Sequence, residues 1–138
     1  MTYENDETVI RTLLTTPGTW AVVGLSNNED RAAFRVSKLL QQLGHTIVPI
    51  HPSAETVHGA PGYATLDDAP GSIDVVDVFV NSSHAGAVVD AAIARGAKAV
   101  WMQLDVVDEA AADRAREAGL DVVMDTCPSI ERRRLGFF

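Results

Sequence analysis

The chain has one cysteine, Cys127, among its 138 residues. An internal disulfide is therefore excluded, which agrees with a reducing compartment. No apolar run approaches the ~20 residues that a membrane-spanning helix needs. The opening stretch MTYENDETVIRT carries acids where a secretory leader carries Lys or Arg ahead of a longer apolar core. A cytoplasmic protein that meets no membrane is expected. Positive charge is scarce as well: 11 Lys and Arg stand against 19 Asp and Glu, a formal net charge of −8. The average field repels polyanions, which argues against broad nucleic-acid or anionic-membrane binding. The histidines at 45, 51, 58 and 84 show neither H-x-x-H nor H-E-x-x-H spacing, so no metal site is expected.

Two nucleotide fingerprints are missing too. The turn that starts at Gly24 reads GLSNNE and lacks the second and third glycines of G-x-G-x-x-G. The next apolar run ends in His51-Pro52, with no acid to hold ribose hydroxyls. A nicotinamide site thereby loses its two most specific contacts. No G-K-[ST] follows the turn, so a P-loop is absent.

What is present is a repeated local pattern within a length suited to a single domain. Apolar runs occur at 20–24 (WAVVG), 46–50 (TIVPI), 75–80 (VVDVFV), 99–102 (AVWM) and 122–124 (VVM). Amphipathic segments at 31–43, 84–95 and 107–118 lie between them, each closed by a glycine: Gly44, Gly96 and Gly119. Strands with few polar breaks, alternating with helices, imply a parallel sheet covered on both faces. The expected fold is a doubly wound, five-stranded parallel α/β sheet, Rossmann-like, with right-handed crossovers. Residues 1–17 form a leading segment whose stretch 4–15 reads as a short helix. Val9 and Leu13, joined by Ile10 and Leu14, are expected to face the sheet. Residues 52–73, with three prolines and three glycines, read as a long loop.

In open α/β sheets ligands bind beyond the carboxyl ends of the strands, so the residues that follow each strand carry the functional information. Gly24 allows close backbone approach. Ser26 and Asn27 offer hydrogen bonds near the start of the next helix, whose free N–H groups favour an anion. Arg31, Arg35 and Lys38 follow at i, i+4 and i+7 as one basic stripe. The first 50 residues carry 4 basic and 5 acidic groups, the remaining 88 carry 7 and 14, so an anion site is expected in the first part.

The set AVVGLS (21–26), FRV (34–36), IVPIHP (47–52), VDVF (76–79), GAKAVWMQ (96–103) and DTCP (125–128) resembles the small CoA-binding family of Rossmann-like domains. That family is related to the CoA-binding domain of the succinyl-CoA synthetase α-subunit and of ADP-forming acyl-CoA synthetases. The resemblance covers roughly residues 18–135 and implies coenzyme A, or an acyl-CoA, bound over the strand ends. By position it implies Gly24, Leu25, Ser26 and Asn27 at the phosphates, with Arg35 and Lys38 nearby. Pro49 and His51 would flank the nucleotide, Phe79, Val80 and Asn81 would bound the groove, and Gln103 would reach toward the pantetheine. The chain departs from the family pattern at His51, at Val80-Asn81-Ser82 and at Asp105. The resemblance implies a binding module rather than a ligase: a monomer or homodimer, with a separate catalytic partner chain as a further option. The alternative reading is an NAD(H)-binding redox sensor or enzyme that uses the same groove.

No catalytic residue is assigned. Cys127 has no motif nearby that supplies a base and reads as a small buried hydrophobe. Trp20 and Trp101 read as packing residues on strands that are adjacent in the usual order. The Arg132-Arg133-Arg134 run reads as solvated surface.

Overall fold

Each apolar run of the sequence becomes a parallel strand. The computed structural model describes residues 5–136. The strands are β1 (Thr19–Val23), β2 (Thr46–Ile50), β3 (Val75–Val78), β4 (Ala99–Met102) and β5 (Asp121–Val123), in the order β2-β1-β3-β4-β5. The helices are α1 (Glu7–Thr15), α2 (Ala32–Gln42), α3 (Ser82–Arg95), α4 (Glu109–Glu117) and α5 (Pro128–Arg134). Gly44, Gly96 and Gly119 follow α2, α3 and α4 with φ of +97°, +76° and +91°, the left-handed conformation that ends a helix.

Alternation along the strands builds two cores. Trp20, Val22, Val75 and Trp101 face α1, α2 and α5; Ala21, Val76, Val100 and Met102 face α3 and α4. The doubly wound expectation holds. Strand adjacency differs in one respect: β3 lies between β1 and β4, so Trp20 and Trp101 sit on non-neighbouring strands. Their rings still meet across β3, with centroids 5.6 Å apart.

Three local readings need correction. In α1 the buried pair is Ile10 and Leu14, while Val9 and Leu13 are half-buried. The helix begins at Glu7, after the Asp6 cap, whose side chain accepts from Thr8 N at 2.8 Å; residues 1–4 of the expected leading segment lie outside the described residues. Helix α3 starts at Ser82, two residues before the expected 84. The arginine run, with Arg133 and Arg134 exposed as expected, belongs to α5, with Pro128 in its first turn, where a missing N–H is tolerated. Arg134 pairs there with Glu131 at 2.9 Å. The 52–73 stretch is irregular as expected, apart from one 3₁₀ turn at Leu66–Asp68.

Each outer edge of the sheet is paired at one place near its carboxyl end. Along β2, Tyr63 N donates to Pro49 O (2.9 Å) and His51 N donates to Tyr63 O (3.0 Å). Pro49, which has no N–H to give a ladder, is compatible with this edge position. Beside β5, the Asn5 side chain donates to Met124 O (2.8 Å) and accepts from Met124 N (2.9 Å).

His45, at the junction of α2 and β2, ties α1 to the sheet. Gly18 N donates to its Nδ1 at 3.2 Å, so the ring proton sits on Nε2, which faces Leu14 O at 3.1 Å. Burial lowers its pKa, against the opposing pull of the Leu14 carbonyl and Asp74. The unfolded chain then takes up the proton more readily. Stability from this group is present above the ordinary histidine value of 6.5 and is lost as pH falls below it. We expect the native melting temperature to drop between about pH 7.5 and about pH 5.5, with a shallower drop in His45→Gln. Thermal unfolding across that range measures it; equal slopes would speak against the assignment.

Candidate functional site

The chain leaves β1 toward the face that carries α2 and leaves the adjacent β3 toward the opposite face, which carries α3. The winding reverses between these strands, and the reversal opens a crevice above their carboxyl ends. Gly24 forms its floor with φ of +100°. A Cβ placed there would lie 2.8 Å from the Phe79 carbonyl oxygen, so the turns after β1 and β3 touch backbone to side.

Two helix N-termini enter this crevice. Arg31 is the N-cap of α2 and Asn81 that of α3; neither helix has a side-chain cap or an acid in its first turn. By contrast, α1 and α4 carry Asp6 with Glu7 and Asp108 with Glu109. The uncapped ends keep their partial positive charge and free N–H groups for whatever enters. Among the described residues the N–H groups of Leu25 and Ser26 also make no hydrogen bond.

The crevice has a volume of about 440 Å³. Of the residues expected from the sequence, Gly24, Ser26, His51, Phe79, Val80 and Asn81 line it. Its titratable lining is Arg31, His51 and His84, with no carboxylate. Ser53 N donates to His51 Nδ1 at 3.1 Å, which leaves Nε2 as the protonated nitrogen of the neutral ring. A second groove of about 450 Å³ shares Arg31, Phe79, Val80 and Asn81 and continues over β4 to Gln103 and Asp105. The two form one path from the β2 edge across β3 to β4.

The remaining expected residues serve other places. The Leu25 side chain is fully buried beneath the turn. The Asn27 side chain donates to Glu55 Oε2 (3.0 Å) and Thr56 O (2.9 Å), fastening the turn to the 52–73 loop. The bond to Glu55, with one from Ser53, lowers the pKa of that carboxyl group. Pro49 is buried within β2. Arg35 turns back to donate to Glu29 O at 3.2 Å. With Lys38 it lines a separate groove of about 370 Å³ between α2 and α5, next to Arg132 and Cys127. Cys127 is half-buried there rather than fully enclosed. Of the basic stripe, Arg31 alone lines the crevice.

Asn28, Ala64 and His84 line the crevice without having been expected there. The early start of α3 explains His84, since it puts that residue in the first turn. Among the described residues no helix is long and apolar enough to cross a membrane. No group of three or more His, Cys, Asp or Glu among them is placed to hold a metal ion.

Residues 18–133 match the family described as CoA binding domain. The chain belongs to that family. This CoA-binding domain is 36% identical over 107 residues to YneT of Bacillus subtilis (strain 168), covering 78% of this chain and 79% of that one. It is similar to a hypothetical protein from Pyrococcus horikoshii OT3, with a TM-score of 0.88, 34% identity and 98% of both chains covered. It is also similar to part of a dinucleotide-forming acetyl-coenzyme A synthetase of Ca. Korarchaeum cryptofilum. There the TM-score is 0.71 at 25% identity, and the match takes in 80% of this chain and 26% of the synthetase. The CoA-binding domain thus corresponds to about a quarter of that larger protein.

Proposed function

We propose that the chain is a non-catalytic binding protein for coenzyme A or an acyl-CoA, holding the nucleotide above β1 and β3 and the pantetheine in the groove that ends at Gln103. One observation carries this reading: two uncapped, acid-free helix starts and Arg31 converge on a crevice lined by no carboxylate. Such a site suits a diphosphate, because N–H groups and helix-end charge stabilise it without a bound cation. The chemistry of the lining fits the rest of the molecule too. His51 and Pro52 give the nucleoside a flat, half-polar wall. Phe79 and Val80 give the pantetheine an apolar one. These residues bind and orient the ligand.

Titration calorimetry with CoA, acetyl-CoA and NADH tests the reading. Micromolar or tighter binding of CoA is expected, with NADH failing to displace it. Absence of binding to CoA and to acyl-CoAs would remove the proposal, and displacement by NADH at similar concentration would move it to a nicotinamide-dependent redox sensor.

A further inference from the structure

Asp77 occupies the central strand β3, with Val22 on one side and Trp101 on the other in the strand register. It is 0% exposed, and Gln103, two residues past Trp101, is 3% exposed. The Gln103 side-chain Nε2 donates to Asp77 Oδ1. The other two oxygens of this pair, Asp77 Oδ2 and Gln103 Oε1, are buried without any partner. Two acceptors cannot satisfy each other, and each buried orphan is costly. A single proton resolves both. An O–H on Oδ2 donates to Oε1 while Nε2 donates to Oδ1, and acid and amide close into a ring of two hydrogen bonds.

We propose that Asp77 is held as a neutral acid in such a ring with Gln103, and that it is a positioning residue: it sets how the Gln103 carboxamide faces the ligand groove. The Gln103 main chain is already fixed, since its N donates to Val78 O (3.2 Å) and its O accepts from Val106 N (2.8 Å). Side-chain rotation is the freedom that remains, and the ring removes it. The buried carbonyl is used up in the ring, and one N–H of the carboxamide is left over, at a set direction, for an amide carbonyl of the ligand. Pantetheine carries two amides, so this inference rests on reading the groove as its channel. The environment acts in the same sense. Burial pushes the Asp77 pKa well above the carboxylate range, opposed only in part by the Gln103 amide.

Two variants separate positioning from structure. Asp77→Asn replaces acid by amide and closes the same ring; Asp77→Val keeps the shape, suits a strand and leaves Gln103 free. Binding of CoA and of adenosine 3′,5′-bisphosphate, which lacks pantetheine, is measured by calorimetry for each. We expect Asp77→Asn to bind CoA within about twofold of the native chain and Asp77→Val about tenfold more weakly, the worth of one hydrogen bond. Bisphosphate binding is expected to be unchanged in both. A second measurement needs only the native chain and Asp77→Asn: their infrared difference spectrum at neutral pH is expected to contain a protonated-carboxyl band. Equal CoA affinity in Asp77→Val, or absence of that band, overturns the inference while leaving CoA binding intact. A native chain that binds neither ligand overturns the functional reading, and this inference with it.

Discussion

Gly24→Ala is expected to abolish CoA binding and to destabilise the fold by about 3 kcal/mol, the sum of backbone strain and a contact that cannot relax. At φ of +100° any side chain is strained. The added carbon would also meet the Phe79 carbonyl oxygen at 2.8 Å, a main-chain atom rather than a movable side chain. Relief requires β1 and β3 to part, yet Phe79 N donates to Val23 O at 2.9 Å across that seam, and Gly24 N is held from the other side by Ile50 O at 2.8 Å. The crevice floor would open where the phosphates are proposed to lie. Gly59→Ala isolates the strain, since Gly59 has φ of +80° with nothing within 4 Å of the added carbon. It is expected to lose only about 1 kcal/mol. Urea unfolding and calorimetry compare the two, and matching losses would show that the contact with Phe79 carries no weight.

Arg31→Ala is expected to weaken CoA binding roughly tenfold to hundredfold, the range for removing a charged hydrogen-bonding partner. Arg31 borders both the crevice and the groove that continues from it. Lys38→Ala removes the same charge from the same helix but faces the groove between α2 and α5. Its CoA affinity is expected to stay within about twofold of native. Should Lys38→Ala lose as much as Arg31→Ala, the anion would belong over the α2–α5 face instead. The comparison holds net charge constant, so general electrostatic attraction cannot produce the difference.

The sheet was legible because buried parallel strands are nearly continuous apolar runs, and here glycines end the helices between them. Helix α5 was not. Its buried residues are Pro128 and Glu131, the latter accepting from Thr126 Oγ1 at 3.0 Å, so it shows no apolar stripe. In α1, Val9 with Leu13 and Ile10 with Leu14 have the same i, i+4 spacing, and periodicity alone could not choose between them. The basic stripe was read as one face of a helix, but only Arg35 and Lys38 lie on α2, while Arg31 is its extended N-cap. From that cap, Arg35 and Lys38 lie roughly 6 and 10 Å further along the helix axis. Asp77 stood in plain view within VVDVFV, but its partner lies 26 residues away. Only the strand order brings Gln103 beside it.

The paired points on the rims of the sheet have a consequence for how the protein behaves when crowded. Unpaired strand edges act as templates on which other chains can add, the first step toward amyloid-like growth. Here Tyr63 occupies main-chain groups of Pro49 and His51 on one rim, and the Asn5 amide mimics a neighbouring strand at Met124 on the other. Aggregation through strand addition at these points must therefore wait until the 52–73 loop or the segment around Asn5 peels away. Conditions that loosen those two short contacts are where the protein becomes vulnerable.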